Sequence, residues 1–288
     1  MQKQPTLFSS LITVFLLVSG VASCANDGVK KITGLKKPES VVQAKDGRIF
    51  VSEINEFDKD GDGQISVIDQ DGKVAVFATG MDDPKGLAMI GEDLYVADKA
   101  RILKVTPDGK WQVFVAAEAF PVKPQFLNDL ERNLQGNFLY VSDSGDLKGK
   151  GGAIYRIGLD SKVTLVIDST KDAHILAPNG LLMDDTGSVL IFVDFISGVL
   201  YSLNMETNTL IDLAQGFGGG DGIVHHPSGL MYVSDWNNGK VFSVAKDGEV
   251  VLIKEGFKAA ADIALTNDGN TILVPDMEAN ELVFLPVH

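Results

Sequence analysis

The chain has 288 residues, 45% hydrophobic and 22% charged, the make-up of a globular protein with a large buried core. Its formal net charge is −14, and Lys3 is the only charged residue among the first 23, so the remainder carries about −15. An acidic surface without a Lys/Arg cluster repels phosphate backbones, which excludes nucleic acid as the expected partner and favours cations.

The first segment is a targeting signal. Lys3 opens it, and Leu11-Ile12-Thr13-Val14-Phe15-Leu16-Leu17-Val18 is an apolar run too short to span a bilayer. Val21-Ala22-Ser23-Cys24 then resembles a lipobox, the bacterial lipoprotein signal cleaved before a lipidated cysteine; a plain secretory peptide cut near Ala22 is the alternative. Residues 1–23 are read as signal peptide, 24–28 as a short tether and 29–288 as one domain. Lipidation falls on Cys24, the only cysteine, so no intramolecular disulfide can form. Ala25 follows it, and resemblance to Gram-negative lipoproteins makes the expected destination the outer membrane or periplasmic side of the envelope; the plain signal would give a secreted protein.

From there one phrase recurs, an apolar β-rich run ending in an acid: Phe50-Val51-Ser52-Glu53, Tyr95-Val96-Ala97-Asp98, Tyr140-Val141-Ser142-Asp143, Phe192-Val193-Asp194, Tyr232-Val233-Ser234-Asp235 and Leu273-Val274-Pro275-Asp276. The acids are spaced by 45, 45, 51, 41 and 41 residues. That is close to the roughly 40 to 45 residues of a four-stranded propeller blade. Runs such as Lys240-Val241-Phe242-Ser243-Val244 alternate with a period of two, and no stretch has a helical period. The expected fold is all-β, a six-bladed β-propeller with four-stranded blades. The last repeat holds only three clear strands, starting at Ala261, and the N-terminal segment Val29-Lys30-Lys31-Ile32-Thr33 is expected to supply the fourth and close the ring.

Turns of two kinds give the propeller a direction. Short Gly/Asp turns such as Lys45-Asp46-Gly47 and Lys246-Asp247-Gly248 mark a structural face. Longer, dissimilar segments at 117–126, 144–152, 168–177 and 214–220 mark the face where binding is expected. A second column lies 13 to 15 residues before each acid, at the start of each innermost strand: Pro38-Glu39-Ser40, Pro84-Lys85-Gly86, Leu127-Asn128-Asp129, Pro178-Asn179-Gly180, Gly220-Asp221-Gly222 and Ala261-Asp262-Ile263. Six-fold geometry turns Glu39, Lys85, Asn128, Asn179, Asp221 and Asp262 toward one axis, with a summed formal charge of −2. Carboxylates and carboxamides without His or Cys are hard ligands that suit Ca²⁺, with another divalent cation as the alternative. The plainer reading is a polar channel holding water.

These residues carry a resemblance to the senescence marker protein/gluconolactonase/regucalcin-like family of six-bladed calcium propellers. The family's metal-binding Glu resembles Glu39, its Phe-Asn-Asp motif resembles Phe126-Leu127-Asn128-Asp129, its Asn-Gly-Leu motif matches Asn179-Gly180-Leu181, and its Asp-Gly motif matches Asp221-Gly222. The likeness runs over roughly residues 29–287. It implies a metal set of Glu39, Asn128, Asn179 and Asp221, with Asp221 and Asn128 as catalytic candidates. The Arg that sugar lactonases hold before the Asn-Asp motif has no counterpart around Phe126, so sugar specificity does not carry over.

A second calcium candidate is the loop Asp58-Lys59-Asp60-Gly61-Asp62-Gly63-Gln64-Ile65 with Asp69 twelfth, whose spacing resembles an EF-hand loop; Asp58, Asp60, Asp62, Gln64 and Asp69 would be its ligands. An acidic, solvated hairpin tip is the plainer reading there. Lys85, Asp262, His174 and Trp236 are further pocket candidates, and Phe57 and Phe195 would either line that pocket or pack between blades.

Two function classes follow. One is a calcium-dependent hydrolase of a lactone or related ester, exported, lipid-anchored and monomeric. The other is a non-catalytic, calcium-stabilised envelope propeller that binds a ligand or protein partner. They differ in whether Asp221 can be reached from an open pocket.

Overall fold

The computed structural model describes Met1 and residues 29–287, so the signal peptide, Cys24 and the tether lie outside the described residues. Residues 30–286 form six antiparallel four-stranded sheets. Blade 1 runs outward through Pro38–Gln43, Ile49–Glu53, Gly63–Ile68 and Val74–Met81. The next four blades repeat the plan, with innermost strands Pro84–Ile90, Leu127–Arg132, Pro178–Met183 and Gly220–His225. Blade 6 is built from Ala264–Leu265, Thr271–Asp276 and Glu281–Pro286, with Lys30–Thr33 as its outermost strand. Lys30 pairs with Phe284 and Thr33 with Glu281, so the two ends of the domain are joined in one sheet, as expected from the sequence. Helical structure among the described residues is limited to two 3₁₀ turns, Ala117–Ala119 and Met277–Ala279.

The burial pattern explains the repeated phrase. Each second strand is covered on both faces by neighbouring blades, so Ile49–Glu53 and Met231–Asp235 are buried throughout and read as continuous apolar runs rather than alternating ones. The cores lie between blades. Tyr95, Ile102 and Val115 of blade 2 pack with Leu130, Val141 and Tyr155 of blade 3, and Val41 and Val51 of blade 1 pack with Leu273 and Leu282 of blade 6.

The acid that ends each second strand has a distinct task. Its carboxylate accepts backbone N–H groups from the segment entering the innermost strand of the same blade. Glu53 takes Lys36, Asp98 takes Asp82 and Asp83, and Asp143 takes Gln125 and Phe126. Asp194 takes Leu176 and Ala177, Asp235 takes Gly218, and Asp276 takes Lys258 and Ala259. Hydrogen bonds to a charged acceptor are worth roughly 1.5–3 kcal/mol each, so every inner strand enters the axis from a fixed point.

Immediately after that point, five inner strands carry a β-bulge. The register skips from Pro38 to Val41, Pro84 to Leu87, Leu127 to Leu130, Pro178 to Leu181 and Gly220 to Ile223. Two residues then face one on the second strand, which bends the chain and re-aims the first of them. The first are Glu39, Lys85, Asn128, Asn179 and Asp221. In blades 1, 3 and 5 the opposing residue is a serine whose hydroxyl accepts the displaced N–H: Ser52 from Ser40 at 2.9 Å, Ser142 from Asp129 at 2.9 Å and Ser234 from Gly222 at 2.8 Å.

Candidate functional site

The five bulge side chains converge on the floor of a cavity of about 640 Å³ that opens on the face bearing the longer loops. Ile54, Phe57, Phe195, Trp236 and Met277 give it apolar walls, with Leu147 and Phe126 beside them. Trp236, Phe57 and Phe195 thus stand at the pocket, and Trp236 also packs on Ile54, Ala259, Ala261 and Met277 of the neighbouring blades. The floor is tightly drawn because small residues follow the axial ones. A Cβ on Gly180 would stand 2.1 Å from the Asp221 carbonyl oxygen, and one on Gly222 would stand 2.3 Å from the Ile263 nitrogen.

Glu39, Asn179 and Asp221 are buried, and Glu39 Oε2, Asn179 Oδ1 and Asp221 Oδ1 have no hydrogen-bond partner. Burial pushes both carboxyl groups well above their ordinary range; Asp221 adds repulsion at Glu39, and Asp129 and Asp235 add it at Asp221. Asn128 donates its amide nitrogen to Ser144 Oγ at 3.1 Å, and that hydroxyl donates to the Pro178 carbonyl at 2.9 Å. The carbonyl oxygen is therefore the end of Asn128 left for the cavity. Buried acceptors with no donor are costly, typically about 1–3 kcal/mol each, and two carboxylates repelling one another cost more. A divalent cation answers both, so the donor set fits a hard metal ion. Among the described residues no cluster of three His, Cys, Asp or Glu side chains is arranged as a metal centre, and this set reaches four ligands only by counting its two carboxamides.

Lys85 also reaches the floor. Its Nζ donates to the Asp83 carbonyl at 3.2 Å and lies 4.2 Å from the centre of the Phe126 ring. Burial lowers its pKa, with Glu39 opposing that shift.

Four sequence expectations are corrected. Asp262 does not join the floor: Ala260 bridges Asp276 and Ala264 pairs with Leu273, so blade 6 also carries the extra residue, but Asp262 is the second after the acid's partner, as Asp129 is in blade 3, and it accepts the Ser40 hydroxyl at 2.5 Å and lines the cavity at the other end of the axis. His174 is exposed outside the pocket, with Nδ1 2.7 Å from Asp172 Oδ1. Asp69 sits in the hairpin turn after Gly63–Ile68, accepting the N–H groups of Asp71 and Lys73, at the far end of a six-residue strand from Asp62. Such a strand is about 20 Å long, so the twelve-residue chelate does not assemble. Gln64 of that strand donates to Glu53 at 3.0 Å. Of the remaining loop acids, Asp60 pairs with Lys99 at 2.6 Å and Asp62 with Lys59 at 3.4 Å, leaving Asp62 Oδ1 and Asn55 Oδ1 without partners.

Sequence reasoning missed Ser144, which orients Asn128, and Phe126 as the surface beneath Lys85. It also missed the serines of the bulges, although Ser before the acid in alternate repeats was a visible signal.

Comparison with known proteins agrees with this architecture. A protein assigned to the gluconolactonases superposes with a TM-score of 0.70 at 16% identity, covering 91% of this chain and 94% of that one. Regucalcin of Agrobacterium tumefaciens, described as a calcium-binding protein, gives 0.70 at 18% identity, covering 88% and 90%. Virginiamycin B lyase of Staphylococcus aureus gives 0.63 at 15%, covering 90% and 99%. At these identities the likeness is one of fold. Strictosidine synthase-like 3 of Arabidopsis thaliana is 34% identical over 139 residues, 43% of this chain, and the match spans about a third (35%) of that longer protein. Residues 89–275 match the SMP-30/gluconolactonase/LRE-like family model, a stretch that takes in Asn128, Asn179 and Asp221 and stops short of Glu39 and Lys85. On that match the chain belongs to the SMP-30/gluconolactonase/LRE-like family.

Proposed function

We propose that the protein is a calcium-dependent hydrolase of a lactone or related ester, exported and held at the cell envelope through Cys24. One observation carries the reading: Glu39, Asn128, Asn179 and Asp221 share the floor of an open, apolar-walled cavity, and three of them present a buried oxygen that no protein donor reaches. A closed scaffold would hide such a set beneath its loops. Membership of a family named for gluconolactonases and a fold neighbour described as calcium-binding support it.

Glu39, Asn128, Asn179 and Asp221 would hold the ion, leaving coordination places of a six- to eight-oxygen cation for water and substrate. Calcium bound there would polarise the scissile carbonyl. Asp221 would serve as general base through the carboxylate oxygen that the ion leaves free, taking the proton of the attacking water as the water oxygen bonds to the scissile carbonyl carbon. Asn128, its amide nitrogen held by Ser144, would keep its carbonyl oxygen turned to the ion beside the reacting group. The aromatic wall of Phe57, Phe195 and Trp236 excludes bulk water and seats an apolar substrate body.

The test is hydrolysis of a panel of lactones and aryl esters by the purified chain, in calcium and after chelation. Calcium-dependent turnover is expected. Tight calcium binding without turnover of any member overturns the hydrolase and leaves a binding propeller.

A further inference from the structure

Three lysines line the cavity, and two are already neutralised at its rim: Lys37 pairs with Glu278 at 2.8 Å and Lys99 with Asp60 at 2.6 Å. Lys85 differs from both. It is 2% exposed, and its ammonium forms no ion pair with any carboxylate among the described residues. The Asp83 carbonyl uses one of its three donors, and the Phe126 ring face lies against it. Its aim is set by the same bulge register that turns Glu39, Asn128, Asn179 and Asp221 to the axis.

The spare donors of this ammonium select a partner. The buried charges of the cavity, Glu39, Asp83 and Asp221 against Lys85, sum to −2, so a bound divalent cation draws on the carboxylates and balances them while the Lys85 ammonium keeps no carboxylate of its own in ion-pair contact, between walls of low polarity where charge is poorly screened. A buried ammonium with donors to spare is stable only if something completes it. The complement is a small monoanion with a planar pair of acceptors, beside an apolar body that fits Phe57, Phe195 and Trp236.

We propose that Lys85 forms a carboxylate subsite, so that the pocket takes acids: lactones or esters whose scissile carbonyl belongs to a molecule also bearing a free carboxylate, which rests on the Lys85 ammonium. This rests on the metal reading above and narrows its substrate class. Lys85 itself lies outside the residues matched by the family model.

The test is calorimetric binding of phenylacetate and of phenylacetamide, its neutral isostere, to the calcium-loaded chain. Calcium binding is titrated first. A charge-assisted hydrogen bond predicts that the acid binds about tenfold more tightly than the amide. The preference should vanish in Lys85→Met while calcium still binds, and persist in Lys85→Arg; if Lys85→Met does not fold, Lys85→Gln takes its place. Calcium binding with equal affinity for acid and amide overturns the subsite alone, as does a preference that survives loss of the ammonium. Failure to bind calcium overturns the metal reading and the subsite with it.

Discussion

The two ends of the propeller axis are built from the same strands and do opposite things with their acids. On the long-loop side, Glu39 Oε2, Asn179 Oδ1 and Asp221 Oδ1 are buried without donors. On the other side, Asp129 accepts the N–H groups of Leu130 and Leu181, each at 2.6 Å, and Asp262 accepts the Ser40 hydroxyl. Both ends open into cavities of similar size, about 640 and 710 Å³. Size therefore does not identify the reactive end; hydrogen-bond accounting does. The bulge supplies two adjacent residues per strand, the first aimed up at the cavity floor and the second tied to the neighbouring blade. Asn128 and Asp129 show this within one dipeptide.

Breaking the upper set should have the largest effect. Asp221→Asn keeps the shape and an oxygen ligand but removes the base, and hydrolysis should fall by about 10²–10⁴ while calcium remains bound. Asp262→Asn, isosteric and at the lower end, should stay close to wild type. Equal losses in the two variants would erase the distinction between the ends, and unchanged turnover in Asp221→Asn would remove Asp221 from the chemistry.

An intermediate effect is expected where the two ends share backbone. In Gly180→Ala the new Cβ meets the Asp221 carbonyl oxygen at 2.1 Å and Gly222 Cα at 2.9 Å, and backbone cannot yield without parting the inner strands of blades 4 and 5. The cost should be about 1–3 kcal/mol, several degrees in Tm. Calcium affinity should fall with it, since Asn179 and Asp221 move apart. Normal affinity in a destabilised variant would mean that the floor tolerates wider spacing than this geometry implies.

The contrast between the ends also marks how far the sequence could be read. Six copies of an acid-ending strand define the blades, and aligning them puts Glu39, Lys85, Asn128, Asn179 and Asp221 in one column because five repeats place the bulge identically. Alignment misplaces Asp262 by one residue, because the partner of the acid in blade 6 is Ala260 and the first place after it falls to Ala261, a shift in pairing that composition does not reveal. It misplaces Asp69 for a related reason: an acidic spacing pattern reads the same whether the chain turns or runs straight, and here Gly63–Ile68 runs straight. The acids were legible as markers, but their work of clamping the strand entry depends on which N–H groups lie near them in space.

The smallest effect separates the ends by pH. Glu131 lines the lower cavity, where burial and the neighbouring Asp129 raise its pKa from 4.5 to about 8. Between those values the folded protein holds a proton that the unfolded chain has released, so stability falls as pH rises through that window. The upper carboxyl groups, also raised, contribute a fall of the same sign in chelated protein. Calcium replaces protons at Glu39 and Asp221 and should cancel their share, raising Tm more at about pH 8 than at about pH 5. It has no ligand set at Glu131, whose share should persist in calcium as a decline of a few degrees and become shallower in Glu131→Gln. Tm measured against pH, with and without calcium, in the wild type and Glu131→Gln checks this. A decline in calcium that is unaltered by Glu131→Gln would assign the lower-end proton to Asp129, raised to about 6, or to Asp262. A decline that calcium does not change at all would mean that the upper carboxylates are not its ligands.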